Sequence, residues 1–226
     1  MEPERKRRMP SAPPLVCPVC RAPDPAPFGM FDGLGYWRCD ECQARGLNPA
    51  HHPDAATEHA EYDKHQNDIH DPGYRAFLDR LAAPLRARLT PTAQGLDYGC
   101  GPGPALAHML REAGHDMAVY DPFYAPDAGV LNAQYDFITC TEVAEHFHTP
   151  AEEFDRLGAM LRPGGWLALM TTFQTEDARF ATWHYRMDPT HVVFYRAATL
   201  AHIAALRGWT CEIPRKDVAL MQVPRP

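Results

Sequence analysis

A glycine-rich segment, Leu96–Pro104, carries the clearest chemical signal in the sequence. It reads LDYGCGPGP and lies where an apolar strand predicted around Leu96 passes into a helix predicted to begin near Ala105. Glycines at alternate positions let the backbone turn tightly and approach a ligand, because no Cβ stands in the way. The first turn of the helix presents unpaired N–H groups that suit a carboxylate or a phosphate. We therefore predict a ligand-binding loop here.

Two ligand classes compete for such a loop. A dinucleotide-binding loop requires a third glycine at the sixth position of the motif, where this chain has Pro104. The pattern Asp-x-Gly-x-Gly-x-Gly resembles instead the first motif of class I S-adenosylmethionine-dependent methyltransferases. In that family the loop holds the methionine end of the cofactor. The resemblance implies cofactor contacts from Asp97, Gly99, Cys100, Gly101 and Gly103.

Two further segments resemble the same family. Asp121 ends a strand predicted at Met117–Tyr120, where the family places a carboxylate that accepts both ribose hydroxyls. The sequence LRPGG at 161–165 resembles the turn before the fifth strand. Only fifteen residues separate Asp121 from the next predicted strand at Phe137, where the family normally fits a helix, a strand and a second helix. We therefore predict a shortened or lost third strand, and we name no adenine-binding residues.

Acidic and histidine side chains follow the predicted fourth strand in the segment Thr141–His146, which reads TEVAEH. The carboxyl ends of parallel strands form the active-site edge of a doubly wound sheet. If this segment opens a helix, Glu142, Glu145 and His146 lie on one face, because they are spaced i, i+3 and i+4. Two carboxylates and an imidazole on one spot suit a divalent cation.

The Glu-x-x-Glu-His pattern is similar to an element of the ubiquinone-pathway O-methylases and the small-RNA 2′-O-methylases, which a distant histidine completes. The resemblance implies that His191 is this partner, and His184 from the same segment is a further catalytic candidate. A bound cation would lower the pKa of a substrate hydroxyl and hold it in line with the methyl group. Two alternatives stay open, namely His146 as a general base without a metal, and a purely structural role.

Four of the seven cysteines form two CxxC pairs, Cys17 with Cys20 and Cys39 with Cys42. Eighteen residues separate the pairs, a spacing typical of four-cysteine zinc ribbons and knuckles. So short a unit cannot bury a core, so the metal would supply folding energy. Iron, or dithiol redox chemistry, are the alternatives to structural zinc. Certain ribosomal RNA methyltransferases and sugar C-methyltransferases also carry a cysteine-metal module, so the module does not decide the substrate.

The elements that must position these residues alternate between short apolar runs and amphipathic helices. Helices are predicted at Tyr74–Leu89, Ala151–Leu161 and Ala198–Leu206, with two closing strands near Cys211 and Val218. Such alternation favours a parallel sheet covered on both faces. The expected fold is α/β, a doubly wound, mainly parallel, Rossmann-like class I methyltransferase sheet, shortened after the second strand, with a small N-terminal zinc-binding module.

We expect four parts along the chain: a disordered tail (1–14), the four-cysteine module (15–48), a helical connector that covers the cofactor (49–90), and the methyltransferase domain (91–226). In the connector, Tyr62 and His65 are candidate cofactor contacts, because segments before the first strand often fold over the cofactor in class I enzymes. A solvated connector is the alternative.

The charge and hydropathy of the chain limit which substrates and cellular locations we expect. The net charge is −7 and the pI is about 5.9, which disfavours a phosphate backbone as substrate without excluding nucleic acid. No apolar run is long enough to span a bilayer and no secretory signal is apparent, so we expect a cytoplasmic protein. We expect O-methylation of a small-molecule acceptor. The alternatives are an RNA or protein methyltransferase that captures its substrate with the zinc module, and a non-catalytic cofactor-binding module. Pro104 disfavours an oxidoreductase.

Overall fold

The structure, a computed structural model, describes residues 13–64 and 67–225. Most of the expected N-terminal tail (1–14) lies outside these residues. Ten strands follow one another along the described chain: β1 (Ala26–Phe31), β2 (Leu34–Arg38), β3 (Arg45–Leu47), β4 (Gln94–Tyr98), β5 (Asp116–Tyr120), β6 (Tyr135–Thr141), β7 (Leu161–Met170), β8 (Val193–Phe194), β9 (Thr210–Arg215) and β10 (Val218–Gln222).

Six of these strands form one sheet in the order β5-β4-β6-β7-β10-β9. The pairs β4–β5, β4–β6 and β6–β7 are parallel, whereas β10 runs antiparallel to both β7 and β9. This arrangement confirms the predicted mainly parallel sheet and its two closing strands. Between Asp121 and β6 the chain forms a 3₁₀ helix, Ala128–Asn132, and no strand joins the sheet beyond β5 among the residues described. The predicted loss of the third strand is therefore confirmed.

Helices cover both faces of this sheet. They are α1 (Ala55–Tyr62), α2 (Pro72–Arg86), α3 (Ala105–Glu112), α4 (Pro150–Ala159) and α5 (Ala197–Leu206). Leu81 of α2 and Leu110 of α3 belong to a core that includes Phe137 of β6. Phe154 of α4 and Ile203 of α5 belong to the core on the other face. Alternate residues of buried strands point to opposite faces, so the sheet supplies side chains to both cores.

Local capping explains where the two connector helices begin. The side chain of Asp54 accepts from the Thr57 amide and that of Asp71 accepts from the Tyr74 amide, which satisfies N–H groups that lack helical partners. Helix α2 starts before the predicted Tyr74, because Pro72 suits the first turn, and it ends at Arg86 rather than Leu89.

The other sheet has the order β1-β2-β3-β8 and is antiparallel throughout. Its first three strands come from the segment that carries the CxxC pairs, whereas β8 comes from the segment between β7 and α5. The N-terminal module is therefore completed by a strand from the C-terminal half of the chain. Within the described ranges, no helix is both long and apolar enough to cross a membrane.

Candidate active site

A cavity of about 670 Å³ opens at the carboxyl ends of β4, β5 and β6. Glu58 and Tyr62 of α1 and Tyr74 and Phe77 of α2 line it from the connector. The edge of the sheet where strand order changes is the usual ligand site in this architecture. The two connector helices thus stand against the opening of a cavity that the sheet provides.

The glycine loop forms one wall of this cavity. Gly99 and Gly101 have positive φ values of 78° and 64°, a conformation that glycine adopts without strain. A Cβ on Gly99 would lie 2.3 Å from Val143 Cγ2, and a Cβ on Gly103 would lie 1.9 Å from the Asn67 carbonyl oxygen. Gly99, Cys100 and Gly101 line the cavity, whereas Gly103 does not and instead packs against Asn67. The spacing of the glycines therefore serves packing as much as ligand access.

The loop amides hold the end of β5 in place. The Gly99 and Cys100 amides donate to the Tyr120 carbonyl at 2.8 Å and 3.1 Å, and the Gly101 amide donates to Asp121 Oδ2 at 3.0 Å. The sequence argument expected amides open to a ligand carboxylate. These three donate inside the protein instead, because the loop turns back onto the neighbouring strand end.

Asp121 is the acidic residue that this arrangement orients. Its Oδ1 accepts from the Phe123 and Tyr124 amides at 2.9 Å and 3.1 Å, so three N–H groups fix the carboxylate. Asp121 is 8% exposed and lines the cavity. A carboxylate has about four acceptor positions and three are taken, so this one can accept one further donor.

Asp97 lies beneath the loop rather than in the cavity wall. It is 4% exposed, and Thr139 Oγ1 donates to its Oδ1 at 2.7 Å. Burial raises the pKa of Asp97 from 3.8 to about 6, against the opposing effect of the Thr139 hydrogen bond. Asp97 therefore holds the end of β4 to β6 beneath the loop, and the cofactor contact that the motif implied stays a prediction.

The opposite end of the cavity carries Glu145, His146 and His191. Their candidate ligand atoms all lie within 4.8 Å of one another. The His146 Nδ1 lies 2.9 Å from the Thr190 carbonyl oxygen and the His191 Nδ1 lies 2.7 Å from the Tyr185 carbonyl oxygen. Because a carbonyl only accepts, each Nδ1 carries a proton and each Nε2 carries the lone pair. Burial lowers the pKa of His191, which keeps its imidazole neutral.

Glu145 is fully buried, and its two oxygens differ. Oε1 lies 2.5 Å from the Tyr185 hydroxyl, whereas no residue within the described part of the chain hydrogen-bonds Oε2. An orphaned carboxylate oxygen beside two imidazoles fits the donor set of a divalent cation. The same geometry also suits a neutral imidazole that takes a proton.

The predicted helix through Glu142, Glu145 and His146 is wrong. Only Ala144–His146 form a short 3₁₀ turn, and Glu142 has a positive φ of 52°. The Glu142 amide donates to the Met170 carbonyl at 2.8 Å, so the backbone continues along the sheet past β6 before it turns. Glu142 therefore stands outside the three-residue cluster, although its Oε2 lies 3.1 Å from the Tyr185 hydroxyl. Burial and the Glu145 charge raise the pKa of Glu142 to about 8.

The remaining candidates divide clearly. Tyr62 lines the cavity with its ring 5.2 Å from the His146 ring, and His65 lies outside the described residues. His184 is exposed and does not line the cavity; the next residue, Tyr185, is the one that turns inward.

Sequence reasoning missed the pair of Glu58 and His148, which line the cavity 2.9 Å apart. No local motif connects these two residues, which lie 90 positions apart.

The four cysteines meet at the base of the N-terminal module. Cys17 Sγ lies 3.8 Å from Cys42 Sγ, Cys20 Sγ lies 3.6 Å from Cys39 Sγ, and all four sulfur atoms lie within 4.8 Å of one another. Tetrahedral zinc with bonds of about 2.3 Å separates its sulfur ligands by about 3.8 Å. None of the four is in a disulfide. The spacing matches a tetrahedral metal site.

Comparisons with known proteins agree with this architecture. Ubiquinone biosynthesis O-methyltransferases from Bordetella avium and Paracidovorax citrulli are 27% and 29% identical over 119 aligned residues, and the matches cover 42% of this chain and 47% and 48% of those proteins. The chain thus spans about half the length of the curated relatives it matches.

Two solved structures show the same fold. The 1,6-didemethyltoxoflavin-N1-methyltransferase of Burkholderia thailandensis is 17% identical with a TM-score of 0.54, over 89% of this chain and 100% of that one. The magnesium protoporphyrin IX methyltransferase of Synechocystis PCC 6803 is 16% identical with a TM-score of 0.51, over 74% and 93%. A family described as a methyltransferase domain matches residues 62–212, which is more than half of the chain. The glycine loop, the strand order and this match lead to one conclusion: the chain belongs to the methyltransferase-domain family.

Proposed function

We propose that this protein transfers a methyl group from S-adenosylmethionine to a hydroxyl oxygen of a small molecule. One observation carries the proposal: a single cavity has the glycine loop and Asp121 at one end and Glu145, His146 and His191 at the other. The first end suits a nucleoside cofactor and the second suits an acceptor that must lose a proton. The names of the curated relatives, both O-methyltransferases, support oxygen as the acceptor atom.

At the cofactor end, Asp121 accepts a hydrogen bond from a ribose hydroxyl at its remaining acceptor position. Three amides already hold this carboxylate in one orientation, so binding costs little reorganisation. Gly99, Cys100 and Gly101 let the cofactor approach the backbone, while Asp97 and Gly103 support the loop from behind. Tyr62 covers the cofactor from α1. S-adenosylhomocysteine is bound in both of the solved structures compared above, which supports this cofactor.

At the acceptor end, Glu145, His146 and His191 would hold a divalent cation, which would supply electrostatic activation of the acceptor hydroxyl. The unpaired buried Glu145 Oε2 supports this assignment. The acceptor oxygen attacks the methyl carbon, and the carbon–sulfur bond breaks with its electron pair going to sulfur. With a cation bound, both Nε2 atoms would be its ligands, so the hydroxyl proton would leave to solvent. Because the sulfonium is already activated, the protein mainly orients and deprotonates the acceptor. Without a cation, His146 acts as the base alone.

The four-cysteine site holds structural zinc in this proposal, since the sulfur spacing matches a tetrahedral ion. Residues 15–48 form the module, 49–90 a connector that covers the cofactor, and 91–226 the catalytic domain. Paired cysteines that bind a metal instead of forming disulfides are typical of intracellular proteins, so we place this protein in the cytoplasm.

Calorimetry tests the cofactor directly. We expect S-adenosylmethionine and S-adenosylhomocysteine to bind with micromolar affinity, on the order of 8 kcal/mol, and NAD to show no binding. A methyl-transfer screen with catechols, with and without a chelator that leaves the module zinc in place, then tests the acceptor and the cation. Absence of binding by either sulfur compound would refute the proposal. Transfer that survives chelation would leave His146 as the base.

A further inference from the structure

The segment between β7 and α5 supplies the acceptor end with Tyr185 and His191, and it is built into the N-terminal module. Strand β8 of this segment pairs with β3 of the module, with Arg45 opposite Phe194 and Gly46 opposite Val193. Phe180 is fully buried, and its ring centroid lies 5.1 Å from Phe28 and 5.2 Å from Tyr36, both in the module. The segment and the module therefore share one sheet and one aromatic core.

Val192 connects the module to the cluster through its backbone. Its carbonyl accepts from the Leu47 amide of β3 at 2.8 Å, and its amide donates to the Glu145 carbonyl at 2.8 Å. The residue before it is His191. Val192 thus connects β3 of the module to Glu145, and it is the direct neighbour of His191 in the chain.

Arg186 makes a second connection. It is 3% exposed, and its guanidinium lies 2.5 Å from Asp32 Oδ2 and 3.3 Å from the Tyr36 hydroxyl, both at the β1–β2 hairpin. It also donates to the carbonyls of Phe180 and Ala181 at 3.2 Å and 2.8 Å. This use of the planar fork is specific to arginine. Arg186 directly follows Tyr185, whose hydroxyl contacts Glu145.

We propose that the four-cysteine module supports the acceptor end from behind, and that Arg186 is the positioning residue through which the module fixes Tyr185 and His191. The inference rests on the proposed function only in assigning an acceptor to this end of the cavity. The glycine loop and Asp121 hold one another through their own hydrogen bonds, without the module. Weakening the contacts between Arg186 and the module should therefore loosen the acceptor end and leave the cofactor end unchanged.

The test compares Arg186→Met with the wild-type protein by amide hydrogen exchange and by calorimetry with S-adenosylhomocysteine. We expect exchange in residues 183–194 to rise about tenfold or more, because the local opening costs less free energy. Exchange in residues 97–104 and the affinity for S-adenosylhomocysteine should stay within about threefold of wild type, since separate sites respond independently. Turnover of a catechol probe should fall while the KM for S-adenosylmethionine holds.

Two further variants keep the test specific. Arg186→Lys retains a cation and three donors, so it should recover part of the protection. Arg21→Met removes another link between module and domain, the partly exposed pair of Arg21 and Asp155, and should leave residues 183–194 unchanged.

Unchanged protection of 183–194 in Arg186→Met, or an equal loss in 97–104, would overturn the proposal. Failure of the wild type to bind S-adenosylhomocysteine would instead remove the proposed function, and the exchange comparison would still decide the role of the module.

Discussion

The two ends of the cavity are built in different ways. The cofactor end comes from a short stretch of chain, Gly99–Tyr124, in which backbone amides fix one carboxylate, Asp121. The acceptor end collects side chains from α1, from the turn after β6 and from the segment before β8, and the N-terminal module supports it. The geometry of a site made by one local stretch depends on the conformation of that stretch. The geometry of a site assembled from distant segments depends on how those segments pack together.

Their electrostatics differ as well. Asp121 is surrounded by three donors, and Asp97 has its Thr139 partner. At the other end, Glu142 and Glu145 both approach one hydroxyl, that of Tyr185, and burial raises the pKa of each carboxyl. Buried carboxyls this close gain from a bound positive charge or from a shared proton. We therefore expect a bound cation or proton to change the acceptor end more than the cofactor end.

Replacing His191 should separate the two ends most sharply. His191→Ala removes one proposed ligand of the cation, and we expect turnover to fall about 100-fold or more, because charge stabilisation by a cation is worth several kcal/mol. Cofactor affinity should stay within about threefold, because the two ends share no hydrogen bond through this residue. Steady-state kinetics and calorimetry measure the two effects. His202→Ala, on α5 away from the cavity, is the matched control. An equal loss of cofactor affinity would contradict the comparison.

The converse change is Asp121→Ala. It removes the ribose acceptor and leaves the Gly101, Phe123 and Tyr124 amides without their partner. We expect the Kd for S-adenosylhomocysteine to rise about 100-fold, or about 2.7 kcal/mol, the magnitude for losing a charged hydrogen-bond acceptor. Asp116→Ala, at the other end of β5, should change the Kd little. A Kd near that of wild type in Asp121→Ala would show that ribose is held elsewhere.

Asp97→Asn tests the support beneath the loop through folding stability instead of cofactor affinity or turnover. The folded-state pKa of Asp97 is raised from 3.8 to about 6, so the folded protein binds the proton more tightly than the unfolded chain does. Stability from this group is therefore complete below about pH 4 and is lost as pH rises towards 6, in total about 2 to 3 kcal/mol. The variant keeps an acceptor for Thr139 without a charge, so it should be more stable than wild type at pH 7. Urea unfolding at pH 4 and pH 7 measures this, and an identical pH slope in both proteins would refute it.

The parts that sequence predicted well are those with local causes. Glycine adopts positive φ angles without strain, so the alternating glycines predicted a tight loop. Gly99 and Gly101 have positive φ values in the structure. The short interval after Asp121 predicted the lost strand, because so few residues cannot form the two helices and the strand that the family places there. The paired CxxC motifs predicted the sulfur cluster for the same reason, since each pair brings two thiols to one side of an ion.

The parts that sequence predicted badly depend on packing between distant segments. Helical spacing placed Glu142 with Glu145 and His146, but the backbone bond from Glu142 to Met170 prolonged the sheet and turned it away. His184 and Tyr185 are adjacent in sequence, and only the short helix that carries them decides which one faces inward.

By itself the sequence determined the fold class, the glycine loop, the acidic residue after β5 and the metal-type cysteine cluster. The tertiary structure decided that β8 pairs with β3 of the module, that Arg186 contacts Asp32 of the module, and that Glu58 meets His148 at the cavity. The physical reason is range: backbone conformation follows from neighbouring residues, whereas contacts between side chains far apart in the chain exist only once the sheets and helices have packed.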